Sequence, residues 1–199
     1  MAELLIALGI DRVSLIAISA AGHTGIELAR RHPQQIERIS FESAAALPWN
    51  TRIRRGGRIL FGPAQALIWG TTRAGLRLAP SVMLRMQLSQ VSTLDPARLV
   101  REMSPETRRQ FVDAYRSLWS GQGFRCDLEH DSPSEEPIVQ PALIMRGIND
   151  PSVPAAHAAR LGSLCRDGQI AEFDAESHFI WFGRAATQVW ERRLAFLGG

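Results

Sequence analysis

From Val13 to Ile18 the chain reads V-S-L-I-A-I, a nearly unbroken apolar run that passes through Ser19-Ala20-Ala21-Gly22 into a stretch of helical periodicity. Such a run suits a parallel strand covered on both faces. The helix that follows carries Ile26, Leu28 and Ala29 and stops near Pro33, and Ile36 to Phe41 reads as a second strand. Two parallel strands need a crossover of this kind, so the segment predicts a strand–turn–helix–strand unit and an α/β fold. Ahead of it, Leu4, Leu5 and Leu8 fit the last turns of a helix, with Gly9 as its stop.

The pattern then changes. Residues 48–137 contain no convincing strand and read as helical pieces broken by Gly and Pro. One piece runs from Ala64 to Leu78 and another from Ser81 to Val91. A third has Ser104 as N-cap and Pro105 at its first position, with Phe111, Ala114, Tyr115, Leu118 and Trp119 as an apolar stripe. Asp131 to Pro137 reads as a loop leading out. Alternation resumes with a strand at Ala142–Met145, a helix at Ala155–Leu164, a short strand at Ile170–Phe173 and a closing helix at Ala185–Leu197. The expectation is a partial parallel sheet built from residues 1–47 and 138–199, flanking a helical insertion of residues 48–137.

Composition removes several functions. All 23 cationic residues are Arg, and a net charge of +3 without a recognisable module does not describe a nucleic-acid binder. Cys126 and Cys165 stand far apart with no CxxC spacing and no histidine cluster, so neither a disulfide framework nor a metal site is expected. The opening MAELLIALGIDR lacks a basic leader region, and no run approaches the roughly 18 apolar residues of a membrane span. These features predict a cytoplasmic protein with a small-molecule substrate and no membrane contact.

Three polar residues stand where parallel strands end. Ser19 occupies the turn between a buried strand and a helix, with small residues at Ala17 and Ala21, as the sharp turn of a nucleophile elbow requires. Taken alone, it reads equally well as a helix N-cap. Asp150 follows the strand ending at Gly147, and the alternative there is a turn aspartate before Pro151. His178 follows the next strand and its loop. The order Ser, Asp, His, each after a successive strand end, joins them into a nucleophile–acid–base set. Glu42, after the second strand, is an alternative acid. His23, His32, His130 and His157 read as surface or helix-end residues, and Gly121 to Asp127 lacks a phosphate-loop lysine. The basic stretch Arg52 to Arg58 reads first as a solvated surface and second as an anion or lipid contact. Phe179, Trp181, Trp69 and Trp119 fit either core packing or the wall of an acyl pocket.

The segments ALGIDRVSLIAISAAG and ELARRHPQQIERI resemble the nucleophile-elbow region of α/β-hydrolase-fold enzymes. PALIMRGINDPSVPAAHAARL resembles that family's acid-bearing strand, and AEFDAESHFIWFG its histidine loop. The resemblance implies that Ser19 attacks, His178 shuttles the proton and Asp150 orients the imidazole, with the backbone N–H of Ala20 as one oxyanion donor. Ile18 and Phe179, beside the nucleophile and the base, are the candidate substrate contacts. No cofactor or metal is implied. A serine at position 19 does not match the branches that use an aspartate nucleophile, and residues 48–137 sit where the family carries its variable cap.

Family members have further strands before the helix that opens this sequence, and one of their loops supplies a second oxyanion donor. The expectation is therefore that roughly 60–90 more residues of α/β pattern are encoded upstream. Without them the first strand would become an exposed apolar edge. The competing expectation is an inactive remnant serving as a binding protein, or a partial gene product. A third is a membrane-surface or partner-binding module formed by residues 48–137.

Overall fold

A computed structural model describes residues 2–49, 51–119, 123–129 and 135–198. After helix α1 (Ala2–Ala7), ended by Gly9 at a positive φ of 66°, the chain enters β1 (Val13–Ile18), α2 (Gly22–Arg31) and β2 (Ile36–Glu42). A helical block follows: α3 (Thr51–Leu60), α4 (Gln65–Leu78), α5 (Pro80–Val91), α6 (Pro96–Glu102), α7 (Pro105–Ser117) and α8 (Gly123–Glu129). The chain closes with β3 (Ala142–Gly147), α9 (Ala155–Leu164), β4 (Gly168–Phe173) and α10 (Ala186–Leu197). The four strands form one sheet, wholly parallel, in the order β1-β2-β3-β4. This is the α/β architecture expected.

Strand alternation decides which helix covers which face. Ala17, Ile39, Phe41, Ala142 and Ile144 pack against Ile26 and Ala29 of α2 and against Ala158, Leu161 and Leu164 of α9. On the opposite face, Leu143, Met145 and Phe173 meet Val189 of α10. The helical block has its own core of Leu76, Leu84, Leu88, Val100, Phe111 and Tyr115. Burying each such side chain stabilises the fold by about 1.5–3 kcal/mol. Two of its helices start on the capping chemistry that polar residues before proline supply. Asp95 accepts from the N–H groups of Ala97 and Arg98, and the Ser104 hydroxyl accepts from Thr107 N–H at 3.1 Å.

Some expectations need correction. β1 is covered on one face only: Ile16 and Ile18 point the other way and remain 39% and 43% exposed. Its position is the one expected of these residues alone: β1 is an edge strand, paired with β2 alone among the described residues. The apolar stripe ends sooner than predicted, because α7 stops at Ser117 and leaves Trp119 53% exposed. Helix α3 runs uninterrupted through Gly56 and Gly57. A Cβ on Gly57 would lie 2.4 Å from Leu128 Cδ1, so that glycine admits α8. Residues 130–134, including most of the predicted exit loop and His130, lie outside the described residues, as do Gly121 and Gln122. No helix among the described residues is long and apolar enough to cross a membrane.

Candidate active site

Ser19 lies at the C-terminal end of β1 with φ at 54°, in the left-handed region that L-residues rarely adopt. Its carbonyl accepts from Gly22 N–H and, at 2.9 Å, from Ala45 N–H in the loop after β2. The turn is tightest at the glycine three residues on, not at the small residues singled out in the sequence. A Cβ on Gly22 would stand 2.0 Å from the Ala45 carbonyl oxygen, and one on Gly25 would stand 2.6 Å from Ala17 Cβ. Alanine therefore suffices at positions 17 and 21 because glycine occupies 22 and 25. Ala20 is buried in the single helical turn behind Ser19, where by position its N–H lacks an intrahelical acceptor.

β3 ends at Gly147, and the following turn presents Asp150. One carboxylate oxygen, Oδ1, accepts from the backbone N–H groups of Ser152 (2.7 Å) and Val153 (3.1 Å). The other, Oδ2, lies 2.6 Å from Nδ1 of His178. Nε2 of the same imidazole lies 2.9 Å from the Ser19 hydroxyl. Both Asp150 and His178 are buried, while Ser19 is half-buried beside the exposed Ile18. A carboxylate is acceptor-only, so the proton sits on Nδ1 and the Nε2 lone pair faces the Ser19 hydroxyl. The structure thus brings together residues separated by 159 and 28 positions in sequence.

The helical block reaches into this arrangement. His178 N–H donates to the carbonyl of Val91 at 2.8 Å, and the Ser92 hydroxyl donates to the carbonyl of Glu176 at 2.5 Å. Thr93 N–H donates to the carbonyl of Asn149, whose side-chain amide in turn donates to the carbonyl of Ala175 at 2.8 Å. The segment after α5 therefore ties the aspartate turn to the histidine loop. Nothing in the sequence marks these residues.

Two of the histidines expected at the surface or at helix ends do lie at helix ends, but they are buried there. His23 sits in the first turn of α2, and His157 in that of α9. His157 Nδ1 accepts from the N–H groups of Ala46 (3.0 Å) and Leu47 (3.2 Å), which fixes the loop that supports Ser19. Burial lowers its pKa below the ordinary histidine value; the nearby His23 adds to the depression and Asp150 opposes it.

The remaining candidates separate. Glu42 is 0% exposed and its carboxylate is bonded to Arg193, Trp181 and Ser40. The residue against His178 Nδ1 is Asp150. Phe179 packs among Phe111, Tyr115 and Phe182 and meets the His178 ring edge-on at 5.7 Å. It therefore joins the helical block to the histidine loop. Trp69 is buried against Phe61, and Trp119 lies under Arg73, 5.9 Å from the guanidinium carbon. Arg54, Arg55 and Arg58 line a shallow hollow with Thr51 and Ile59 that does not include Ser19.

No protein-family model matches the chain. It is 28% identical over 203 residues to the uncharacterized hydrolase YcgS of Bacillus subtilis (strain 168), a match spanning 98% of this chain and 72% of that protein. Among solved structures it resembles an α/β-hydrolase-fold protein from Nakamurella multipartita, with a TM-score of 0.78 at 18% identity. That match covers 100% of this chain and 74% of the other. It also resembles the enol-lactonase from Burkholderia xenovorans LB400, with a TM-score of 0.66 at 23% identity over 98% of this chain and 69% of the other.

Proposed function

We propose that this chain, an enzyme of the α/β-hydrolase fold, cleaves an ester or related small acyl substrate through an acyl-enzyme on Ser19. The observation that carries the proposal is the relay Ser19–His178–Asp150, with heavy-atom distances of 2.9 and 2.6 Å, built on a serine held at positive φ. In the first half-reaction His178 Nε2 takes the Ser19 proton as Oγ attacks the acyl carbonyl. The oxyanion forms beside the backbone N–H of Ala20, at the start of a helix whose dipole favours negative charge there. The imidazolium then gives its proton to the departing alcohol oxygen. In the second half-reaction His178 removes a proton from water, the resulting hydroxide adds to the acyl carbon, and Ser19 leaves with that proton. Asp150 stays ionised throughout and holds the imidazole in the Nδ1–H tautomer.

Ile18 and Phe179 are the proposed substrate contacts, the first exposed beside Ser19 and the second against the His178 ring. Residues 48–137 act as a cap over residues 1–47 and 138–199, held to the histidine loop by Val91 and Ser92. The likeness to an enol-lactonase adds cyclic esters to the candidate substrates. A fluorophosphonate probe followed by peptide mass spectrometry tests the reading. Labelling is expected at Ser19 in the wild type and is expected to vanish in Ser19→Ala and His178→Ala. Labelling that persists in Ser19→Ala, or none in a folded wild type, overturns it.

A further inference from the structure

On the side of the sheet covered by α10, β3 presents Leu143 and Met145, whereas the adjoining β2 presents Arg38, Ser40 and Glu42. Arg38 reaches the carbonyl of Phe196 at the end of α10. Glu42 has no such route to the surface. Its carboxylate is bonded by Nε of Arg193 at 2.7 Å and by the same guanidinium's Nη2, by the Ser40 hydroxyl at 3.1 Å, and by Nε1 of Trp181. The Arg193 guanidinium is itself buried and stacks over the ring of Trp190, 4.1 Å from its centroid. An ion pair withdrawn from water gains little over apolar packing of the same volume. Stability alone therefore does not account for this line of polar groups beside an apolar one.

Its position does. Trp181 belongs to the turn that begins at His178. Ile180 N–H donates to the His178 carbonyl at 3.0 Å, and Phe182 N–H donates to the Phe179 carbonyl at 3.2 Å. Within so tight a turn, fixing the indole fixes the imidazole. The two rings stand edge to face, 6.4 Å apart at 89°. We infer that Glu42, clamped by Arg193, is an anchor for Trp181 and through it a positioning residue for His178. It links the middle of the sheet and the C-terminal helix to the base. Glu42 then acts on the loop that carries the histidine, while Asp150 acts on the histidine ring.

This inference rests on the proposed roles of Ser19, His178 and Asp150, and the experiment separates the two. In histidine-labelled protein, the Nδ1–H of His178 facing Asp150 should give a far-downfield proton resonance. Trp181→Phe keeps the aromatic volume and deletes the N–H. It should shift or broaden that resonance and lower both kcat and the rate of Ser19 labelling about tenfold, the loss of one hydrogen bond to a charged acceptor, with KM little changed. The double variant Glu42→Leu/Arg193→Met removes the charges together with the acceptor for the indole N–H and should fold while giving the same losses. Variants that unfold more easily but leave the resonance and kcat of the folded enzyme as in wild type overturn the anchor, as does a change confined to KM. If the wild type itself shows neither the resonance nor Ser19 labelling, it is the hydrolytic reading that fails.

Discussion

The Asp150→Asn variant tests the site most directly, because the structure determines how the amide must sit. Oδ1 of Asp150 receives two backbone N–H groups, from Ser152 at 2.7 Å and Val153 at 3.1 Å. An asparagine NH2 at that place would set donor against two donors, leaving buried N–H groups unmatched at about 1–3 kcal/mol each. The amide oxygen therefore takes the Oδ1 position, and the NH2 replaces Oδ2, which lies 2.6 Å from His178 Nδ1. A donor there forces Nδ1 to be the lone pair and moves the ring proton to Nε2. That proton then points at the Ser19 hydroxyl, 2.9 Å away, and the imidazole no longer accepts from it. Holding the wrong tautomer lowers kcat by about 10⁴-fold, or roughly 5.4 kcal/mol of transition-state stabilisation. Since the turn keeps both hydrogen bonds, the unfolding midpoint should barely move. Steady-state hydrolysis of a chromogenic short-chain ester gives the rate, and long-range proton–nitrogen correlation of labelled histidine gives the tautomer. Turnover within about tenfold of wild type, or an Nδ1–H tautomer in the variant, would refute this assignment of Asp150.

Two further predictions concern the supports of the site. Gly22→Ala places a Cβ 2.0 Å from the Ala45 carbonyl oxygen, a backbone atom that cannot swing aside. It should cost about 3 kcal/mol in urea unfolding, and an unchanged midpoint would show that α2 has room to retreat. His157 has a folded pKa below its ordinary value of 6.5 because the fold buries it and sets it near His23, with Asp150 opposing the shift. Between those two pKa values the unfolded chain binds the extra proton. Stability should therefore be fully present above about pH 6.5 and fall as pH drops toward the folded pKa. His157→Gln should remove that segment of the pH–stability curve; a curve unchanged by the substitution would refute the role.

What the sequence disclosed follows from the range of the interactions involved. Strands β1 and β3 are short apolar runs, and Ser19, Asp150 and His178 stand at a strand end or in the turn or loop just beyond one, so local pattern places them. Burial was harder to read: the V-S-L-I-A-I run suggested two covered faces, yet Ile16 and Ile18 are exposed, because an apolar side chain does not by itself imply a covered one. The residues that brace the site were not legible at all. Ser92 bonds across 84 positions, His157 across 111 and Arg193 across 151, and in sequence each is an ordinary polar residue on or beside a helix. Within the block between β2 and β3, α6 and α8 are seven residues each, too short for a hydrophobic period to show.

The backbone strain at Ser19 explains why such bracing is there. Ser19 and Ser43, at the ends of β1 and β2, both have positive φ, 54° and 44°, which for non-glycine residues costs about 1–3 kcal/mol each. Strain of that size persists only where the surroundings fix the backbone independently. Ser43 N–H is held by the carbonyl of Met145 at 2.8 Å, and Ala45 N–H holds the Ser19 carbonyl at 2.9 Å. Ala46 and Leu47 are held in turn by His157, in the first turn of α9. That helix has Pro154 as its N-cap, directly after the Ser152 and Val153 N–H groups that bind Asp150. The start of α9 thus touches both ends of the relay, the proposed nucleophile through the loop after β2 and the proposed acid through its own approach. Displacing it would misalign Ser19 and Asp150 together, leaving His178 between two partners that no longer face it.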